Sequence, residues 1–199
     1  MHHIYHEGKP GKPVLLLLHG TGGTEQDLLP IADMIDPEAS ILSVRGNVSE
    51  NGMPRFFKRL SEGVFDIEDL KHRTQELHEF LNDAAIKYSF DRKNVIAIGY
   101  SNGANIAGSL LFHYSDSLKA ASLHHPMVPL RDKELPDLSK ISVFIGAGEN
   151  DPICPPEETK DLTELLKGAG AQVDTKWYNR GHQLIEEEVS DAKKWYESL

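Results

Sequence analysis

The chain has 199 residues, 39% hydrophobic and 26% charged, which is enough for one substantial buried core and unlike a disordered segment. Its formal net charge of −10 disfavours polyanionic partners, and no basic stripe interleaved with aromatics argues for nucleic acid. Cys154 is the single cysteine, which excludes an intrachain disulfide and a thiolate-rich zinc site.

The start of the chain is polar and punctuated by glycine and proline, and His2, His3 and His6 read there as surface residues. It lacks the basic and apolar regions of a signal peptide, and the longest apolar run, Val14–Leu18, is too short to cross a bilayer. The expectation is one soluble domain over residues 1–199, cytoplasmic, with no membrane partner.

Val14–Leu18 and Ser40–Val44 read as strands buried on both faces. Ile67, Leu70, Leu77, Leu81 and Ala84 recur at helical spacing and predict an amphipathic helix. Further strands are predicted at 94–98 and 141–145, with weaker ones at 120–123 and at Gln172–Tyr178. Gly168 and Gly170 suit a helix end, and 182–199 reads as a closing helix. Strands alternate with helices, which predicts an α/β fold with a mostly parallel sheet and helices on both faces. In such a sheet, ligands bind at the carboxyl ends of the strands.

The loop after the third strong strand is Gly99-Tyr100-Ser101-Asn102-Gly103, a Gly-x-Ser-x-Gly turn between a strand and a helix. Small flanking residues let the chain turn sharply while the serine projects, and a helix N-terminus favours developing negative charge. The bland alternative is a serine that caps the helix. A nucleophilic serine needs a base, and the base needs an orienting acid. Asp151 follows the strand at 141–145 in a Gly/Pro-rich turn, and His182 follows the strand Gln172–Tyr178, in the chain order serine, acid, histidine. Glu149 is a rival acid in the same turn, and Asp151 and His182 also have bland readings as a turn aspartate and a helix-start histidine. His124 and His125 precede Pro126 as pocket or structural residues, with metal binding the weaker alternative because no carboxylate accompanies the pair in sequence.

His19 to Thr24 forms a glycine loop after the first strand, without the Gly-Lys-Ser/Thr of a phosphate loop or the third glycine of a dinucleotide loop. What survives is an oxyanion loop, with the backbone N–H of Thr21 as one donor and that of Asn102 as the other. Met53, Phe56, Phe57, Met127 and Ile153 are candidates for an apolar substrate wall, with ordinary packing as the alternative. Arg45 and Arg55 are either partners for a substrate carboxylate or members of surface ion pairs. No long insertion is present to build a large lid.

The stretches "LLLLHGTGG", "GYSNGAN", "GENDPICPP" and "RGHQL" together resemble the small α/β-hydrolases of the carboxylesterase, phospholipase and dienelactone-hydrolase-like group. The stretch "SVRGNVSENGMPRFFKR" is similar to the subgroup that includes the bacterial hydrolase associated with methylhydroquinone resistance. The resemblance implies an α/β-hydrolase fold with minimal or no lid, a triad of Ser101, Asp151 and His182, and oxyanion donors at Thr21 and Asn102. It implies ester or thioester hydrolysis without metal or organic cofactor, and often a homodimer. Dienelactone hydrolases carry cysteine where this chain has Ser101, which argues against that activity. The expectation is a serine carboxylesterase for small or medium apolar or aromatic esters, with thioesterase or lysophospholipase-like activity as the alternative. A hydrolase-fold protein that binds a ligand without turnover is the alternative of another class.

Overall fold

The computed structural model describes residues 1–199. In chain order the elements are β1 (His3–His6), β2 (Val14–Leu18), α1 (Leu29–Ile35), β3 (Ser40–Val44), β4 (Val48–Glu50), β5 (Met53–Arg55), β6 (Arg59–Ser61) and β7 (Val64–Phe65). Then follow α2 (Ile67–Tyr88), β8 (Val95–Tyr100), α3 (Asn102–His113), β9 (Ala120–His124), β10 (Ser142–Gly148), α4 (Pro156–Gly168), β11 (Gln172–Tyr178) and α5 (Glu186–Glu197).

Seven strands form the central sheet in the order β1-β3-β2-β8-β9-β10-β11, and every pairing is parallel except that of β1 with β3. After β2 the chain moves outward to β3, and β8 then returns to the other side of β2. This reversal opens a crevice at the carboxyl ends of β2 and β8, where Leu18 pairs with Gly99. The loops that leave those two strands are the glycine loop and the serine turn.

The apolar runs are explained by burial on both faces. Along β2, Leu16 and Leu18 enter the larger core beneath α2, α3 and α4, while Leu15 and Leu17 enter the smaller core beneath α1 and α5. On α2, Asp66 caps the first turn by accepting from the Asp69 N–H at 3.1 Å, and Leu70, Thr74, Leu77, Leu81 and Ala84 form the buried stripe. Ile67, at the mouth of that helix, stays exposed.

Four expectations shift. The start of the chain contributes β1, an antiparallel edge strand, and His3 is half-buried there with Nε2 on the Tyr88 hydroxyl at 2.8 Å. The strand expected at 94–98 runs on to Tyr100, directly before the serine. The strand expected at 141–145 continues through Gly146-Ala147-Gly148, because Gly146 still pairs with Lys176 and Gly148 with Tyr178 on β11. The closing helix begins at Glu186 rather than at 182, since Ile185 is extended, so His182 stands in a loop. Two small hairpins, β4–β5 and β6–β7, fill the connection between β3 and α2 beside the crevice.

Candidate active site

Ser101 sits between β8 and α3 with φ 52° and ψ −113°, a backbone conformation costly for a residue with a side chain. The turn closes because Gly103 passes against β2: a Cβ there would lie 1.9 Å from the Leu18 carbonyl oxygen. The Ser101 N–H donates to the His124 carbonyl at 2.8 Å, which anchors the turn to the end of β9. The hydroxyl caps no helix amide. Instead it lies 2.9 Å from His182 Nε2, so the helix-cap reading gives way to a serine aimed at an imidazole.

His182 Nδ1 lies 2.7 Å from Asp151 Oδ2. An ionised carboxylate only accepts, so Nδ1 carries the proton and Nε2 is left to accept from the serine. Asp151 is held tightly: Oδ1 accepts from the N–H groups of Ile153 at 2.8 Å and Cys154 at 2.9 Å. Burial works against its charge, but those amides and the His182 ring outweigh it and place its pKa below the ordinary aspartate value. Glu149, the rival acid, points to solvent. The two loops are tied together where the Gly181 N–H donates to Asn150 Oδ1 at 2.9 Å. The Tyr100 hydroxyl donates to the His182 carbonyl at 2.6 Å, and burial, with Asp151 and Glu188 nearby, pushes that phenol up to about 12.

The glycine loop approaches from the other side. The Thr21 N–H has no backbone partner, and the amide of Asn102 opens α3, where helix N–H groups lack intrahelical acceptors. The Asn102 side chain fixes the hairpin segment, its Oδ1 accepting from the Phe56 N–H at 2.7 Å. His19, at the start of the loop, is buried and kept neutral: burial lowers its pKa, Nδ1 donates to the Gly20 carbonyl at 2.6 Å, and Nε2 accepts from the Gly46 N–H at 3.1 Å.

These groups open onto a cleft of about 380 Å³ whose wall includes Met53, Met127 and Ile153. Phe56 and Phe57 do not reach it. The hairpins roll both rings into the larger core, and Phe65 takes the place on the wall, edge-on to Phe57 at 5.0 Å. Arg55 and Arg59 also line the cleft. Arg55 is almost fully buried, donating from Nη1 to Thr21 Oγ1 at 2.6 Å and from Nε to the Phe57 carbonyl at 3.2 Å. Arg45 takes the blander role, an ion pair with Glu25. A larger hollow of about 600 Å³ adjoins the cleft through Gly63, Phe65 and Met127 but contains none of the three candidate catalytic side chains.

Behind Asp151 lies a group the sequence reading did not assemble. His124 and His125, both fully buried, close on Glu188 of α5, with His124 Nδ1 on Glu188 Oε1 and His125 Nε2 on Glu188 Oε2 at 3.2 Å. His125 Nδ1 faces Asp151 Oδ2 at 3.0 Å. The carboxylate missing from the sequence reading of the histidine pair is thus Glu188, sixty-odd positions away and hidden in a helix that begins with three glutamates. The donor atoms of His125, Asp151 and His182 lie within 4.8 Å of one another, close enough for a metal ion, but the two Nδ1–H groups already point at the carboxylate.

A mostly parallel sheet flanked by helices, with its polar groups gathered at the strand ends and no inserted lid, defines an α/β-hydrolase. The chain belongs to the phospholipase/carboxylesterase family, whose pattern matches residues 1–199. It is 62% identical to the Bacillus cereus carboxylesterase of known crystal structure, with a TM-score of 0.98 over 98% of this chain and 93% of that one. MhqD of Bacillus subtilis strain 168, a protein named as a hydrolase, is 58% identical over 196 residues, 98% of each chain. YahD, solved with malic acid, is 35% identical, with a TM-score of 0.94 over 99% of this chain and 98% of that one. The protein is therefore an esterase-type hydrolase, for which a small ester is the fitting substrate. No helix is long and apolar enough to cross a membrane.

Proposed function

We propose that the protein is a serine carboxylesterase working through an acyl-enzyme, with Ser101 as nucleophile, His182 as base and Asp151 as orienting acid. The observation that carries this reading is the chain of contacts from Ser101 Oγ to His182 Nε2 at 2.9 Å and from His182 Nδ1 to Asp151 Oδ2 at 2.7 Å, opening on a cleft. The Ser101 hydroxyl attacks the ester carbonyl as its proton passes to His182 Nε2, and the carbonyl oxygen becomes an oxyanion facing the Thr21 and Asn102 amides. The tetrahedral adduct collapses, the C–O bond to the alcohol breaks, and His182 returns the proton to the departing oxygen. Water repeats the sequence on the acyl-serine and releases the acid. Asp151 holds the imidazole tautomer throughout and stabilises the cation formed in each half-reaction.

Met53, Phe65, Met127 and Ile153 suit a short or medium apolar or aromatic group. Arg55 and Arg59 on the same wall, which share the single carboxylate of Glu50 at 3.3 and 2.9 Å, favour, together with the malic acid found with YahD, a second series: short esters that carry a carboxylate. The reading includes a cytoplasmic enzyme, in keeping with a single buried cysteine, and a homodimer that sedimentation would reveal. Labelling by a fluorophosphonate probe tests the chemistry: wild type is labelled and Ser101→Ala is not. A folded Ser101→Ala that keeps wild-type turnover of an aryl ester overturns it. Initial rates on esters and thioesters of graded length, with and without a carboxylate, then separate carboxylesterase from thioesterase and lysophospholipase-like activity.

A further inference from the structure

His125 occupies a position no simple triad requires. Both of its ring nitrogens face carboxylate oxygens, Nδ1 on Asp151 Oδ2 at 3.0 Å and Nε2 on Glu188 Oε2 at 3.2 Å. With both carboxylates ionised, each can only accept, so satisfying both contacts takes two ring protons. The neighbouring His124 needs only one. Its Nδ1 donates to Glu188 Oε1, while the Ser122 hydroxyl can donate to its Nε2 at 2.9 Å.

The backbone is shaped around this arrangement. His125 is held at φ 54°, where a side chain is disfavoured, by its own N–H donating to the Gly146 carbonyl at 2.7 Å and by the Cys154 thiol donating to its carbonyl at 3.1 Å. Opposite it, Gly146 leaves β10 without a side chain. A Cβ there would lie 2.0 Å from Glu188 Oε1, so the strand has a notch that the glutamate carboxylate fills.

We propose that His125 is a positioning residue of this active site: a resident imidazolium bound between Asp151 and Glu188 that shares Asp151 Oδ2 with His182 and sets the lower pH limit of turnover. The proposal rests on the Ser101–His182–Asp151 reading. The rings of His125 and His182 stand 5.2 Å apart around one carboxylate, so a cation on one opposes a cation on the other. Glu188 supplies the counter-charge that lets the rear ring stay protonated out of water. Burial alone would lower the His125 pKa, yet Glu188 and Asp151 outweigh it and raise it, and the contacts with His124 and His125 hold the Glu188 carboxyl below its ordinary value despite burial.

The charged and titratable groups around the pair come from every packed element. His124 stands on β9, Glu188 on α5, Tyr100 and Ser101 at the end of β8, and Asp151 and Cys154 in the loop after β10. Burial pushes Tyr100 and Cys154 up, so both are neutral through the range in which a histidine titrates.

The test compares wild type with His125→Asn. Asparagine tolerates the left-handed backbone and puts a neutral N–H donor where Nδ1 stands, so the contact to Asp151 survives and the charge does not. The midpoint of the acid limb of kcat/KM on an aryl ester is expected to move up by about one pH unit, with the plateau changed less than about tenfold. A purely structural role would lower the plateau or the melting temperature and leave the midpoint in place, and that result overturns the proposal. Nitrogen-15 NMR of wild type keeps the question open to refutation if the variant does not fold. Both His125 ring nitrogens should remain protonated from about pH 6 to about pH 8. A single protonated nitrogen across that range means a neutral ring, and the proposal fails. Ser101→Ala in parallel distinguishes the two readings, since turnover retained there refutes the serine mechanism whatever His125 does.

Discussion

Two histidines share one carboxylate oxygen, and they are built for opposite tasks. The front ring, His182, has a side chain 15% exposed at the cleft, one carboxylate on Nδ1 and a hydroxyl on Nε2. The rear ring, His125, is 1% exposed and has carboxylates on both nitrogens. A ring with one acidic partner keeps a lone pair for chemistry, whereas a ring with two keeps both protons. The number of acceptors, more than distance from the serine, determines which histidine can move a proton.

Removing the proposed nucleophile breaks the front half outright. Ser101→Ala is expected to lower kcat by about 10⁶-fold on an aryl ester, the scale seen when a triad serine is lost, with the fold intact by circular dichroism. Asp151→Asn comes next, at about 10⁴-fold in kcat near neutral pH, because an amide no longer imposes the tautomer with Nδ1 protonated. In this protein the same change also removes one of the two anions facing His125.

The rear half is broken at Glu188. Glu188→Ala leaves His125 facing a vacancy in a dry site and is expected to cost about 3 to 5 kcal/mol in denaturant unfolding, as when one partner of a buried pair is lost. The sign of its pH dependence follows from the two shifts. The lowered Glu188 contributes stability above the ordinary glutamate value of 4.5 and loses it as pH falls through the folded value. The raised His125 contributes fully below the ordinary histidine value of 6.5 and loses it as pH rises through the folded value. The gap between wild type and Glu188→Ala should therefore be widest between pH 4.5 and 6.5 and narrow on either side. A gap that is flat with pH would mean that the cluster contributes packing and no charge.

The front half was legible in the sequence because each of its members stands in a loop just after a strand, where turn chemistry and chain order are local signals. Ser101, Asp151 and His182 all lie within three or four residues of a strand end. The rear half was legible only in part: His125 stands in the loop after β9 and stood out with His124 in the sequence, but the carboxylate that completes them is hidden in a helix. Glu188 belongs to an acidic first turn of α5 in which Glu186 and Glu187 face solvent, and only its place beside Val189 on the inner face separates it from them. Phe56 and Phe57 failed for a related reason: a loop position beside the crevice did not reveal that the hairpins turn both rings inward. The rear cluster left two sequence traces, the His124-His125 pair and Gly146, a glycine that the structure puts inside β10 and that allows a close approach its sequence neighbours do not identify.

That glycine offers the smallest and most selective perturbation. Gly146→Ala changes no titratable group, yet the new methyl would meet Glu188 Oε1 at 2.0 Å, and the nearest atoms belong to a carboxylate anchored by two histidines. Overpacking of this kind is expected to cost about 1 to 3 kcal/mol, less than losing the glutamate. If the rear ring acts by its charge, pushing Glu188 away weakens the hold on the second His125 proton, and the acid limb of kcat/KM moves in the same direction as in His125→Asn. Fluorophosphonate labelling of Ser101 at neutral pH is retained, because the contacts of His182 with Ser101 and Asp151 lie on the far side of the carboxylate. A loss of stability with no movement of the acid limb would show that the notch serves packing alone, and that the two halves meeting at Asp151 are independent.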